Sequence, residues 1–212
     1  MKKKAVAVVA GACALGMLLS GCGGSGGDSN ASGGANVITA FNSEPQNALI
    51  PGDTNETGGG KVGQLLFANL VRYDSKGDTK MEVADSIEPN KDATQYTVKL
   101  KDGWKFTDGT PVTAESFTKS WSYTANAKNA QKCSSFFSMI KGYDDLQKDG
   151  LKGDEQLEGL KVVDDKTFTV DLAQPDSVFP IKVGYLAFAP LPESFYKDPK
   201  AFGEKPVGNG MY

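Results

Sequence analysis

The chain has 212 residues, and its 23 lysines and arginines against 26 aspartates and glutamates give a net charge of −3. That length allows one or two domains, and the charge provides no basic surface for nucleic acid. Histidine is absent, which excludes histidine-based catalytic triads, general bases and metal ligands.

The N-terminus has the pattern of an export signal. Lys2 to Lys4 precede an uncharged stretch (residues 5–19) that is shorter than the roughly 20 residues needed to span a bilayer. Leu19-Ser20-Gly21-Cys22 then resembles a bacterial lipobox. We expect residues 1–21 to be a signal peptide and Cys22 to be the lipid attachment site, which would anchor the chain to the cell membrane on its extracytoplasmic side. A plain cleaved signal with an incidental cysteine is the alternative.

A flexible tether is expected after the anchor. Residues 22–35 are rich in glycine and serine and cannot bury enough apolar surface to fold. Cys133 then remains as the single cysteine of the exported body, so no internal disulfide can form there. Without histidine to activate it, Cys133 is expected to be a small core or loop residue.

The first half of the globular body is predicted from local patterns. A strand is expected over 36–41, a polar loop over 42–57 and a turn over 74–78. A helix should begin at Gly58 to Gly60, and its apolar stripe is Val62, Leu65, Leu66, Asn69 and Leu70.

The most informative stretch is 95–121. Tyr96, Val98 and Leu100 alternate with polar residues, as in a half-buried strand. Asp102-Gly103 and Asp108-Gly109 are turn signals on either side of a short alternating run with Trp104 and Phe106. Thr113 should cap a helix that has Glu115 in its first turn, with an apolar face listed in order as Ala114, Phe117, Trp121 and Ala125.

Later elements follow the same reasoning. Two short buried helices are expected, one around Phe136, Phe137, Met139 and Ile140 and one around Tyr143 and Leu146. A second hairpin should join 160–163 to 167–172 through a turn at Asp164-Asp165, whose two carboxylates are better explained as solvated turn residues than as a catalytic pair. A helix over 177–185, a strand over 186–191 and a helical region over 193–202 complete the prediction.

Nearly all of residues 36–212 resembles the family 5 extracellular solute-binding proteins, which are peptide-binding receptors of ABC importers, and three stretches carry the resemblance most clearly. The longest match is Phe106-Thr107-Asp108-Gly109-Thr110-Pro111-Val112-Thr113-Ala114-Glu115-Ser116-Phe117, with Ser120-Trp121 after it. The other two are the second hairpin, as far as Pro175, and Pro206-Val207-Gly208-Asn209-Gly210, where the family has threonine at the Asn209 position.

The resemblance implies a mixed α/β fold of the type II periplasmic-binding-protein-like class. It implies an incomplete first lobe, made of a first main-lobe segment (36–67), a smaller α/β subdomain (68–193) and a resumed main-lobe segment (194–212). The second lobe would be missing, as in a truncated product. We therefore expect the chain by itself to bind peptide weakly or not at all.

The resemblance also indicates candidate ligand-binding residues. Thr54, Asn55, Glu56 and Thr57 correspond to positions whose backbone bonds an extended peptide, although a solvated loop is an equal alternative. Phe136 and Phe137 lie where a family aromatic can touch the ligand, although two adjacent phenylalanines are more often core. No catalytic residue, metal or cofactor is implied.

The function implied is a lipid-anchored, monomeric substrate-binding protein of an ABC importer. Its partners would be a peptide or related solute, the ABC permease subunits and the bilayer, with no nucleic acid. A surface adhesion or sensory lipoprotein on the same scaffold is one alternative. A secreted carboxylate-dependent hydrolase is the other, and the absence of histidine and of any supported acid pair argues against it.

Overall fold

Two antiparallel sheets and four α-helices make up residues 41–212, the part of the chain that the structure, a computed structural model, describes. The predicted signal peptide, the lipid site at Cys22, the tether and the predicted strand up to residue 40 lie outside the described residues. The helices are α1 (Thr57–Leu66), α2 (Ala114–Ala125), α3 (Phe179–Lys182) and α4 (Pro199–Glu204); the strands are β1 (Val71–Tyr73), β2 (Thr79–Met81), β3 (Ala84–Pro89), β4 (Gln95–Leu100), β5 (Leu160–Asp164) and β6 (Thr167–Asp171).

The larger sheet has the strand order β3-β4-β6-β5, with every pair antiparallel. Strand β4 is the predicted half-buried strand, and Tyr96, Val98 and Leu100 do point into the core. Val98 lies opposite Phe168 of β6, which places the predicted second hairpin beside it. The prediction from the alternating pattern was correct because one face of the sheet packs against α2 and the other remains open.

Helix α2 covers the sheet and begins as the sequence predicts. The Thr113 hydroxyl accepts from the Ser116 amide at 3.4 Å, and the Ser116 hydroxyl accepts from the Thr113 amide at 3.2 Å, which together form a capping box. The four residues of the predicted apolar face are all fully buried. Both predicted turns are present, with φ of +85° at Gly103 and +87° at Gly109.

The predicted stripe on α1 is wrong. The helix ends at Leu66, so Asn69 and Leu70 lie beyond it, and Leu65 is 48% exposed. The buried face consists of glycines instead. A Cβ on Gly63 would stand 2.4 Å from the Leu186 side chain, so the helix can approach this close only because glycine has no side chain.

The predicted strand over 186–191 is also wrong. Residues Leu186–Phe188 form a 3₁₀ turn, and the chain after them pairs with α2 rather than with a strand. The Ser120 hydroxyl donates to the Ala189 carbonyl at 2.8 Å, and the Leu191 amide donates to the Ser116 carbonyl at 3.0 Å. Because α2 satisfies these backbone groups, the apolar run needs no sheet partner.

Smaller differences concern helix type and length. The two predicted short helices are 3₁₀ segments, Ser134–Phe137 and Asp144–Gln147, and the helix predicted over 177–185 shortens to α3. The predicted 74–78 turn connects β1 to β2, a hairpin that the sequence patterns did not indicate. Phe41, the described end of the predicted first strand, is not in a strand and is 94% exposed.

Buried side chains fall into two clusters within residues 41–212. The larger one fills the space between the four-stranded sheet, α2 and the segment 179–188. The smaller one is formed by Ile50, Phe67, Leu186, Ala189, Leu191, Phe195 and Phe202. It joins the loop before α1 to the segment that contains α4. No helix in the described part is both long and apolar enough to cross a membrane.

Candidate functional site

A surface groove of about 270 Å³ brings most of the predicted binding residues together. Its walls are the loop before α1, the first turns of α1 and the start of the 186–188 turn. The lining residues are Thr54, Asn55, Glu56, Thr57, Gly60, Lys61, Gln64, Tyr185 and Leu186. The volume is close to the lower end for small-molecule sites, which usually enclose about 300–1,000 Å³.

Thr54 and Glu56 shape the groove rather than offer groups to it. The buried Thr54 hydroxyl donates to the carbonyls of Ala48 and Ile50, each at 2.9 Å. The Glu56 carboxylate accepts from the Gly59 amide at 2.9 and 3.0 Å and so caps α1. This backbone hydrogen bond holds the pKa of Glu56 below its ordinary value. Both side chains are therefore occupied in fixing the loop.

Asn55 and Thr57 are the exposed members of the predicted loop residues 54–57. Within the part of the chain that the structure describes, the backbone amides of Asn55 and Glu56 donate to no protein group. An extended peptide carries unpaired N–H and C=O groups, so it can pair with free main-chain groups of this kind. Donors of this kind would pair with the main chain of an extended ligand without contacting its side chains.

The two predicted phenylalanines take different places. Phe136 is 43% exposed and stacks face to face on Tyr185, with ring centroids 4.7 Å apart. Phe137 is fully buried, where its ring packs against Phe188 with centroids 4.7 Å apart. Phe136 therefore reaches the groove through Tyr185, whereas Phe137 lies in the core and away from the groove.

Tyr185 is the groove residue that sequence reasoning missed. The sequence predicts a helix over 177–185, yet the structure puts Tyr185 after α3 in extended backbone. Burial raises the pKa of its hydroxyl. The one sequence feature that could have indicated Tyr185 is an aromatic residue directly after Gly184. Its stacking partner Phe136 is far away in sequence, so no local pattern connects the two.

Cys133 connects the loop before α1 to the 3₁₀ segment at residues 134–137. Its amide donates to the Gly52 carbonyl at 2.9 Å, and its thiol lies 3.8 Å from the Thr54 carbonyl oxygen. The side chain is fully buried, as expected of a core residue. Burial raises the pKa of the thiol to about 11, with a further increase from the negative charge of Asp53.

We expect the Cys133 thiol to resist alkylation in the folded chain. A buried thiol with a pKa near 11 has almost no thiolate at pH 8, and the thiolate is the reactive form. The test is iodoacetamide treatment at pH 8 with and without urea, read by mass spectrometry of the peptide that contains residue 133. Modification at equal rates in both conditions would contradict the burial described above.

Two features of the described residues bear on metal binding and on the predicted turn carboxylates. No group of three or more histidine, cysteine, aspartate or glutamate side chains there could hold a metal ion. The Asp164-Asp165 pair lies in the turn between β5 and β6, where the Asp164 carboxylate accepts from the Lys166 amide at 2.8 Å. The groove lining includes two backbone amides without an acceptor among the described residues and the ring of Tyr185, which stacks on Phe136 outside the lining.

Comparisons with known proteins agree with the fold. The family model described as bacterial extracellular solute-binding proteins, family 5 Middle, matches residues 78–212. The oligopeptide-binding protein OppA of Bacillus subtilis is 28% identical over 92% of this chain and 37% of its own length. The dipeptide-binding protein of Lactococcus lactis is 33% identical over 68% of this chain and 26% of its own length.

A solved structure shows the same relationship. The complex of Haemophilus influenzae OppA with the peptide RPPGFSPFR superposes with a TM-score of 0.73 and 29% identity, over 80% of this chain and 33% of that one. The chain thus spans about a third of the length of the relatives that it matches.

Proposed function

Because the chain belongs to the family 5 bacterial extracellular solute-binding proteins, we propose that it binds peptides for uptake by an ABC importer. Its fold is mixed α/β, and its structural neighbours are type II periplasmic binding proteins, of which it covers part of one lobe. The observation that supports the proposal most directly is the groove, whose lining contains both the Asn55-Glu56 segment and Tyr185, the ring on which the exposed Phe136 stacks.

We assign the residues of the groove and its surroundings three roles in this proposal. The backbone of Asn55 and Glu56 pairs with the main chain of an extended peptide, and Thr57 offers a hydroxyl beside them. The Phe136–Tyr185 pair gives an apolar, flat surface for a ligand side chain. Thr54 holds the loop in place. Recognition of this kind fits a receptor that accepts many peptide sequences.

The proposal extends to how the protein is presented to its permease. We propose that Cys22 carries a lipid, that residues 22–35 act as a tether and that the body works as a monomer on the outer side of the membrane. The division into a main lobe (36–67 and 194–212) and a smaller subdomain (68–193) also remains a proposal. The two core clusters support it, although Leu186, Ala189 and Leu191 pack with the main-lobe residues.

The test is a titration of the 212-residue chain with tri-alanine, followed by NMR of backbone amides. We expect the amides of Asn55, Glu56 and Thr57 to shift, with a Kd on the order of 1 mM, because the described groove covers a ligand on one side only. Tyr185→Ala should weaken binding about tenfold, since it removes half of the stacked pair.

Tyr212→Ala is the matched control, because this tyrosine is 72% exposed and does not line the groove. It should leave the Kd unchanged. The proposal fails if tri-alanine shifts no groove amide up to about 50 mM, a concentration well above the expected Kd. A micromolar Kd would instead show that the chain encloses the peptide more fully than the groove allows.

A further inference from the structure

Helix α1 contains four glycines among its ten residues, at positions 58, 59, 60 and 63. None of them has a positive φ, so alanine could adopt the backbone conformation at each position. Glycine in a helix favours the unfolded chain about two- to fivefold relative to alanine, the equivalent of about 0.5–1 kcal/mol, because it loses more backbone freedom on folding. Each of these glycines therefore calls for a physical reason.

Contacts within the chain supply that reason for three of the four. A Cβ on Gly58 would stand 2.7 Å from the backbone carbonyl oxygen of Ser43, and a Cβ on Gly59 would stand 2.8 Å from the Thr54 methyl carbon. Gly63 approaches the 3₁₀ turn after α3, as described above. Non-bonded carbon atoms come to rest about 3.5–4.0 Å from their neighbours, so the packing of the chain itself requires glycine at these three positions.

Gly60 is the exception. A Cβ on this residue would meet nothing within 4 Å among the described residues outside the backbone of its own helix. Its amide donates to the Glu56 carbonyl at 2.8 Å, which is an ordinary bond of the first helical turn. Neither backbone conformation nor packing against the described residues therefore accounts for glycine at this position.

The place of Gly60 in the groove wall supplies a reason. Helix α1 borders the groove along one face, where Thr57, Gly60, Lys61 and Gln64 line it at the spacing i, i+3, i+4 and i+7. Gly60 thus lies between Thr57 and Gln64 on the face that borders the groove. Because it has no side chain, the backbone of α1 stays open to the groove at this point.

We propose that Gly60 is a specificity-determining residue of the groove, which lets the main chain of an extended peptide lie directly against α1. The inference rests on the proposed function, in which the ligand is a peptide that pairs with the backbone of Asn55 and Glu56. Such pairs form only where nitrogen and oxygen are about 2.7–3.2 Å apart. A methyl group on residue 60 would hold the peptide farther from the helix and would stretch these bonds beyond that range.

The variant Gly60→Ala tests the proposal, because stability and affinity should change in opposite directions. We expect the unfolding equilibrium constant in urea denaturation to fall about two- to fivefold, since alanine is the better helix former and its Cβ meets no neighbour. The Kd for tri-alanine, measured by the NMR titration described above, should rise at least about fivefold, as expected from about 1 kcal/mol of steric conflict. A glycine that served only the fold would not give this combination.

Leu65→Ala is the matched control, because it changes the same helix at a side chain that is 48% exposed and does not line the groove. It should leave the Kd for tri-alanine unchanged. A Gly60→Ala chain that binds tri-alanine as tightly as the unaltered chain, or that is less stable than it, would overturn the inference and leave the proposed function standing. An unaltered chain that gives no response to tri-alanine would overturn both.

Discussion

Replacing Trp121 with alanine should lower the free energy of unfolding by at least about 3–5 kcal/mol, the usual range for a buried aromatic residue changed to alanine. This is a large part of the roughly 5–15 kcal/mol that stabilises a typical domain. The variant is therefore expected to be partly unfolded at 37 °C. Urea denaturation followed by far-UV circular dichroism measures the change.

The reason is the position of Trp121 in the larger core cluster. The side chain is fully buried, and its ring meets Phe117, Phe168 and Phe188 edge to face, with centroids 5.3–6.3 Å apart. Its indole N–H donates to the Phe188 carbonyl at 2.8 Å. Truncation removes the packing and also leaves that buried carbonyl without its donor. The residue therefore holds together α2, β6 and the 186–188 turn.

Trp104→Ala is the matched control, because it makes the same substitution in a side chain that is only partly buried. It should cost clearly less than Trp121→Ala. Trp121→Phe separates the two contributions, since it keeps an aromatic ring and removes the hydrogen bond; a loss of about 1–3 kcal/mol is expected. Equal losses in Trp121→Ala and Trp104→Ala would contradict the central role given to Trp121.

The elements that could be predicted from the sequence are those whose signals are local. The predictions of strand β4 and helix α2 were correct because apolar periodicity, glycine turns and the Thr113 cap all occur within one short stretch. The buried face of α1 could not be found in the same way. Glycine carries no apolar side chain, so Gly63 gives no periodic signal although it makes the closest approach to Leu186.

The groove was predictable only in part for a similar reason. The loop Thr54–Thr57 was indicated by resemblance, and the structure does place it in the groove wall. The place of Tyr185 in the groove and the different positions of Phe136 and Phe137 could not be predicted in this way. They depend on a stacking contact between residues 49 positions apart, which only the folded chain reveals. Asn69 gave a misleading signal, because its spacing fitted the α1 stripe and its side chain instead bonds to Gly184.

Asn209→Ala should lower the free energy of unfolding by about 2–6 kcal/mol, because it leaves two buried backbone groups unpaired at about 1–3 kcal/mol each. The Asn209 amide binds the backbone of Ala68 twice: Nδ2 donates to the carbonyl, and Oδ1 accepts from the amide, both at 3.0 Å. Asn209 is 3% exposed and Ala68 is 5% exposed, so water cannot replace the lost partner.

Two variants test whether the loss comes from the two hydrogen bonds to Ala68 or from a general sensitivity of the C-terminal segment to substitution. Asn209→Thr restores the residue of the family motif, and its hydroxyl can satisfy one of the two Ala68 groups, so an intermediate loss is expected. Asn47→Ala removes a half-buried side chain whose one hydrogen bond within the described residues, to Asn55, is exposed and 3.3 Å long, and it should change stability by less than about 0.5 kcal/mol. Urea denaturation of the three variants gives the comparison. If Asn209→Ala were no worse than Asn47→Ala, the 141-residue connection between Asn209 and Ala68 would contribute little to holding the segment after α4 against the end of α1.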